Sequence, residues 1–251
     1  MFDKLENKHG ERLDATYHPA AGLRAEAPPR RLCLLGHGVT ANKDRAWAVT
    51  LAEALAAAGF NALRFSFSGN GASDGRFEHS CPSKEAADLD AVIAAALTAG
   101  AEQLVYIGHS MGAAVGVMVA AREERLTALV SLGGMVHTRS FAERKFGALT
   151  PGRDTMWAKP ECPLSQRFLD DMATIDTVAP CAESIRIPWL LVHGQADTVV
   201  PSDESKVIAA RSAGPVQVVI AETADHVFSG AAADAMASVV VAWLSTALST
   251  T

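Results

Sequence analysis

Residues 108–112 read Gly-His-Ser-Met-Gly, which places a glycine two positions away on each side of Ser110. The apolar residues 104–107 before this motif suit a strand, and residues 111–121 after it suit a helix. In that context the motif is typical of a sharp turn that lifts the serine side chain clear of the backbone. The turn brings backbone segments close together, which requires small residues around the serine. We predict that Ser110 is a nucleophile; an incidental serine at a glycine-flanked helix start is the alternative.

A serine hydroxyl is a weak nucleophile near neutral pH, so Ser110 needs a general base and a carboxylate that orients this base. Asp197 follows a predicted strand at 188–193, and His226 follows another at 216–220. Active sites of open α/β sheets lie at the carboxyl ends of their strands, where both residues would sit. We therefore predict that His226 is the base and that Asp197 orients it.

Two other carboxylates are alternatives to Asp197. Asp225 adjoins His226 in sequence and would have difficulty reaching the far nitrogen of its ring. Asp203 falls inside the next predicted helix. Asp197 itself precedes Val-Val-Pro, where an aspartate can serve only as a turn or cap residue.

Residues 36–40 form a glycine-containing loop directly after the first apolar strand. A loop at this place, together with the residue after the nucleophile, supplies backbone N–H groups to a developing oxyanion. The predicted donors are the N–H groups of Val39 and Met111. We expect the rings of His37 and His193 to bind nearby backbone and to have no part in proton transfer.

Strand-like and helix-like segments alternate along most of the chain. Predicted strands cover 31–35, 61–67, 103–107, 128–132, 188–193 and 216–220. Predicted helices cover 47–58, 83–99, 111–121, 202–213 and 231–248. Strands separated by helices of this length predict an α/β fold with a mostly parallel sheet and helices on both faces. An edge hairpin is expected around 12–17.

Residues 135–184 interrupt this alternation. A segment of this length within a compact domain should not be a bare loop. We predict one domain over 1–251, with a small helical cap inserted at about 135–184. Cys162 and Cys181 lie in this segment, and the sequence leaves a bridge between them open.

The composition excludes several classes of protein. Hydrophobic residues make up 49% of the 251-residue chain and charged residues 20%, which is unlike a disordered protein. A net charge of -6 disfavours binding to nucleic acid or to an anionic membrane, because both need a basic surface. The N-terminal residues show no apolar signal segment, so we expect a cytoplasmic protein. The sequence leaves a homodimer open.

Taken together, the motifs resemble the α/β-hydrolase superfamily, in particular small esterases related to cinnamoyl (feruloyl) esterases and to serine aminopeptidase-like hydrolases. The resemblance covers nearly the whole chain and includes His-Gly-Val-Thr at 37–40 and the order Ser110, Asp197, His226. It implies that the cap carries the specificity, with Trp157 and Phe168 as candidate substrate-binding residues.

The resemblance implies a carboxylesterase that acts on a small-molecule ester through an acyl-enzyme, without a metal or an organic cofactor. An aminopeptidase, a thioesterase or a C–C hydrolase could use the same three residues. An aminopeptidase would need acids to hold the substrate amine, and the candidates are Glu143, Glu161, Asp170 and Asp171. A non-catalytic ligand-binding protein on the same fold is a further alternative.

Overall fold

The computed structural model describes residues 2, 4–24 and 27–248. The strands are β1 Ala15–His18, β2 Arg31–Gly36, β3 Asn61–Phe65, β4 Gln103–His109, β5 Leu126–Leu132, β6 Trp189–Gly194 and β7 Val216–Ala221. They form one sheet in the order β1-β3-β2-β4-β5-β6-β7. β1 pairs with β3 in antiparallel orientation, and the other neighbours in the sheet are parallel.

The α-helices are α1 Ala46–Ala57, α2 Pro82–Thr98, α3 Met111–Ala120, α4 Thr138–Phe146, α5 Gln166–Ile175, α6 Asp203–Ala209 and α7 Ala231–Ala247. Short 3₁₀ turns lie at Phe77–His79, Met156–Ala158 and Ala179–Ser184. Within the described residues, no helix has the length and apolar character needed to cross a membrane.

Two apolar layers cover the sheet, because successive strand residues point to opposite faces. Leu34 and Tyr106 pack in one core cluster with residues of α2 and α3. Cys33 and Val105 pack in a second cluster with residues of α1 and α7. β2 and β4 are therefore apolar on both faces, as strands buried in a parallel sheet must be.

The structure confirms the predicted α/β architecture. The helix predicted over 202–213 ends at Ala209, because the chain must then turn into β7. A Cβ atom at Gly214 in this turn would overlap the backbone of Arg186. The edge hairpin expected around 12–17 is found in a shorter form: Glu6 and Arg12 form an antiparallel bridge, and β1 then pairs with β3 at the edge of the sheet.

Residues 135–184 hold α4, α5 and two of the 3₁₀ turns. Their aromatic rings pack around Phe146, whose centroid lies 6.0 Å from Phe141 and 5.9 Å from Phe168. Cys162 and Cys181 are both free thiols, so the bridge that the sequence left open is not formed.

Tyr106 fixes the distance between β4 and the helix that follows it. Its ring is fully buried, and its hydroxyl donates a 2.9 Å hydrogen bond to the carbonyl oxygen of Gly112. A Cβ atom at Gly36 or Gly116 would overlap this side chain. The two glycines thus let β2 and α3 approach Tyr106 more closely than any larger residue would permit.

Gly116→Ala tests this close packing. Alanine ordinarily stabilises a helix interior by about 1 kcal/mol relative to glycine. Here its methyl group would meet the buried Tyr106 ring, and overpacking costs about 1–3 kcal/mol. We expect urea denaturation to show a lower free energy of unfolding. Ser238→Ala, on the exposed side of α7, should stay within about 0.5 kcal/mol of the wild type; a stabilised Gly116→Ala variant would contradict the packing described.

Candidate active site

Ser110 lies in the tight turn between β4 and α3. Its backbone has φ 54° and ψ −118°, a conformation that non-glycine residues seldom adopt. A Cβ atom at Gly108 would overlap the backbone of Gly112, and one at Gly112 would overlap the carbonyl oxygen of His37. The two glycines of the motif therefore permit the turn, as the spacing predicts.

Neighbouring strands hold this unusual conformation in place. The Ser110 N–H donates to the carbonyl oxygen of Leu132 at 2.9 Å, and the Ser110 carbonyl accepts from the N–H of Met135 at 3.1 Å. Leu132 is the last residue of β5 and Met135 follows it, and β5 pairs directly with β4. The backbone of Ser110 is thus held by strands in the middle of the sheet. The residue is only 2% exposed.

Asp197 and His226 come together at the carboxyl ends of β6 and β7. The Nδ1 of His226 lies 2.7 Å from the Oδ2 of Asp197, whose side chain has no exposed surface. The Oδ1 of Asp197 accepts the N–H groups of Val199 and Val200 at 2.7 and 2.8 Å. The carboxylate is therefore held at both oxygens.

The alternative acids do not reach the base. Asp225 accepts two hydrogen bonds from Ser229, one from its N–H and one from its hydroxyl. Asp203 pairs with Lys206 on the exposed surface of α6. Of the three carboxylates considered from the sequence, Asp197 alone is bonded to His226.

His193 is a second partner of Asp197. Its Nε2 lies 3.2 Å from Oδ2 of Asp197 and 3.1 Å from the carbonyl oxygen of Val200, and its Nδ1 is 2.7 Å from the hydroxyl of Ser205. Burial raises the pKa of the Asp197 carboxyl, but hydrogen bonds from His193 and His226 outweigh that effect and hold the pKa below its ordinary range. Asp197 is accordingly a buried anion near neutral pH.

The loop after β2 lies against Ser110. A Cβ atom at Gly38 would lie 2.8 Å from the Cβ and 3.3 Å from the Oγ of Ser110, so only glycine fits there without displacement. Among the hydrogen bonds of the described residues, the backbone N–H groups of Val39 and Met111 have no protein acceptor. Both predicted donors are thus available beside the serine.

The His37 ring braces this loop. Its Nδ1 lies 2.8 Å from the carbonyl oxygen of Gly38, and its Nε2 accepts the N–H of Phe67 at 3.1 Å. Because Nε2 is an acceptor, the proton resides on Nδ1, which donates to Gly38. Burial lowers the pKa of His37 to about 4, so the ring stays neutral. The Gly38 carbonyl belongs to the same peptide unit as the Val39 N–H, so His37 orients a candidate oxyanion donor.

His109 is a neighbour of the base that the sequence did not single out. Its Nε2 donates to the carbonyl oxygen of His226 at 2.8 Å, and the two ring centroids lie 4.8 Å apart. The His109 ring also contacts Trp47, with centroids 5.1 Å apart. Burial lowers the pKa of His109 to about 3, and the nearby His226 ring contributes in the same direction. The one sign of this contact in the sequence is that His109 directly precedes Ser110.

A cavity of about 160 Å³ joins these groups. Its lining residues are Gly38, Val39, Thr40, Ala41, Arg45, Trp47, His109, Ser110, Trp157, Lys159, Val199, His226 and Val227. Trp157, which the sequence placed in the substrate pocket, is one of them. Within residues 4–24 and 27–248, no group of three or more histidine, cysteine or acidic residues is placed to hold a metal ion.

The prediction that Phe168 binds substrate is wrong. Phe168 is 1% exposed and does not line the cavity. It is a core residue of α5, because its ring packs on Phe146 in the interior of the 135–184 segment.

Comparisons with known proteins bear on the family and the fold of the chain. The family model Hydrolase_4, described as serine aminopeptidase S33, matches residues 27–158. Rv2307c, an uncharacterized protein of Mycobacterium tuberculosis, is 29% identical over 227 residues, which are 88% of this chain and 70% of the relative.

Solved structures share the fold over nearly the full length. Est1E from Butyrivibrio proteoclasticus with ferulic acid bound has a TM-score of 0.86 at 22% identity, covering 99% of each chain. An esterase domain from Rhodothermus marinus has a TM-score of 0.73 at 24% identity, covering 96% of this chain and 95% of that one. These likenesses confirm the α/β-hydrolase fold that the motifs predict.

The buried His109 ring makes a testable contribution to stability. Its pKa is about 3 in the folded protein, while an unfolded histidine titrates near about 6.5. Between these values the unfolded chain binds a proton that the folded protein does not, so stability falls as pH falls through this window. We expect urea unfolding between pH 6 and 4.5 to give a smaller slope of unfolding free energy against pH for His109→Gln than for the wild type. The difference should be about 1.4 kcal/mol per pH unit.

His79→Gln is the matched control, since it removes an exposed imidazole outside the cavity. This variant should keep the wild-type slope. An unchanged slope in His109→Gln would show that the ring is protonated in the folded protein and would contradict its assignment as a neutral group.

Proposed function

Because the chain belongs to the family of α/β hydrolases described as serine aminopeptidase S33, we propose that it is a serine carboxylesterase acting on small-molecule esters. The observation that carries the proposal is one cavity lined by Ser110 and His226, with His226 bonded to the buried Asp197. A nucleophile, a base and an acid that orients the base are the minimum for acyl transfer through serine.

The proposed reaction has two steps. Ser110 Oγ attacks the ester carbonyl while the Nε2 of His226 takes the hydroxyl proton. The tetrahedral intermediate then collapses, the bond to the alcohol oxygen breaks, and His226 returns its proton to the leaving alcohol. His226 next takes a proton from the water that attacks the acyl-enzyme, and it returns this proton to Ser110 Oγ as the bond to the acyl group breaks and the carboxylic acid leaves.

The surroundings of Ser110 suit the charges that form along this path. Because Nδ1 of His226 is bonded to Asp197, Nε2 is the ring nitrogen left to accept a proton, and Asp197 would stabilise the imidazolium that forms. The Val39 and Met111 N–H groups would stabilise the oxyanion, and each such donor is typically worth about 3 kcal/mol in kcat.

The lining favours an ester over an aminopeptidase substrate. An aminopeptidase needs a carboxylate to hold the free amine, but none of Glu143, Glu161, Asp170 and Asp171 lines this cavity. Asp170 binds Gln166, and Asp171 accepts the N–H of Ser83. Of the solved structures that share the fold, the one from Rhodothermus marinus is named an esterase domain, and Est1E is described with ferulic acid bound.

The cavity also limits the size of the group it encloses. An apolar cavity of about 150 Å³ accommodates one benzene ring, and this one measures about 160 Å³. The enclosed part of the substrate is then a short chain or one ring. In this proposal residues 135–184 act as a cap, since Trp157 and Lys159 bring them to the cavity beside Ser110.

Substitution of the three proposed catalytic groups tests the proposal on 4-nitrophenyl esters of increasing acyl length. Ser110→Ala should lose at least about 10⁴-fold in kcat, and Asp197→Asn should lose about as much because its histidine takes the wrong tautomer. Short esters should be the best substrates of the wild-type protein.

Asp225→Asn is the matched control, since Asp225 lies beside His226 in sequence but binds Ser229. This variant should stay within a few-fold of the wild type. Equal losses in the two aspartate variants, or full activity in Ser110→Ala, would rule out the proposed mechanism.

A further inference from the structure

Two cationic side chains, Arg45 and Lys159, line the cavity that holds Ser110. Arg45 directly precedes α1, and Lys159 follows the 3₁₀ turn at Met156–Ala158. Among the ion pairs of the described residues, none includes either side chain. The polar contact of Lys159 is a long one, 3.5 Å to the carbonyl oxygen of Thr40. Both positive charges are therefore available to a ligand.

No carboxylate lines the cavity to balance these charges. Asp44, next to Arg45 in sequence, pairs instead with Arg64 and Lys43. Glu161, two residues after Lys159, is exposed and lies outside the lining. Asp197 is covered by His226 and has no exposed side-chain surface. The cavity is therefore positively charged, although the chain as a whole has a net charge of -6.

The start of α1 adds to the positive potential. Its first turn contains no acidic residue, and no side chain caps its N-terminus. Free N–H groups at a helix N-terminus carry a partial positive charge. Arg45 is the residue at this end, so the guanidinium and the helix dipole act on the same side of the cavity.

We propose that the preferred substrate is an anionic ester, one that carries a carboxylate in addition to the ester group. This inference rests on the proposed function. Arg45 would pair with the carboxylate, since a guanidinium matches the two oxygens of a carboxylate with parallel hydrogen bonds. Lys159 would supply a second positive charge from the 135–184 segment. Hydrolysis would then release a dicarboxylic acid, or an alcohol that bears a carboxylate.

Two matched pairs of esters test the proposal. The first pair is mono-4-nitrophenyl succinate against 4-nitrophenyl pentanoate, which places the anion on the acyl side. The second is 3-carboxyphenyl butyrate against phenyl butyrate, which places it on the leaving side. In at least one pair, the wild-type protein should have the higher kcat/KM for the anionic ester.

In Arg45→Gln the ratio of the anionic to the neutral kcat/KM should fall by about 10- to 100-fold, because hydrogen bonds to charged groups are worth about 1.5–3 kcal/mol. Lys159→Gln should lower the same ratio by a smaller factor. Arg153→Gln is the matched control, since Arg153 lies in the same segment, pairs with Asp154 and does not line this cavity. A preference for the neutral ester in both pairs, or an unchanged ratio in Arg45→Gln, would overturn the inference.

Binding separates this inference from the proposed function. If the wild-type protein hydrolyses none of the four esters, the esterase proposal fails, and calorimetry with Ser110→Ala then decides the charge preference alone. Tighter binding of the anionic member of a pair, lost in Ser110→Ala/Arg45→Gln, would support the anionic ligand. Equal binding of both members would overturn it.

Discussion

The left-handed backbone of Ser110 is the constraint on which the site depends. Residues held in such conformations cost about 1–3 kcal/mol each and persist only where the surrounding structure enforces them. Here the enforcement comes from β4, which lies between β2 and β5, and from the hydrogen bonds of Ser110 to Leu132 and Met135. Gly108 and Gly112 remove the Cβ atoms that would otherwise block the turn.

The same packing brings the remaining groups to the serine. β2 and α3 meet closely over Tyr106, so the loop after β2 lies against Ser110 with Gly38 in contact. β6 and β7 end on the other side, where the buried Asp197 is stabilised by two histidines and two backbone N–H groups. The sheet therefore sets the distances between these groups, and the loops at its carboxyl edge carry their side chains.

Much of the fold could be predicted, because apolar segments typical of strands alternate along the sequence with helical segments that end at glycine. The residues of the site that follow strand ends, such as Asp197 and His226, could be placed for the same reason. The position of the Phe168 ring could not be predicted, because the sequence of an irregular segment does not indicate which way an aromatic side chain points. His109 lies in the motif at 108–112, but its contacts with His226 and Trp47 depend on elements distant in sequence, and Arg45 belongs to no motif.

Covalent labelling of Ser110 tests the central claim most directly. A fluorophosphonate probe reacts with a serine only when a base activates it and an oxyanion site accepts the developing charge. Peptide mass spectrometry of the labelled protein should find one adduct, on Ser110, and the adduct should be absent from His226→Ala. An adduct on another residue, or no reaction of the folded wild-type protein, would contradict the assignment of Ser110 as the nucleophile.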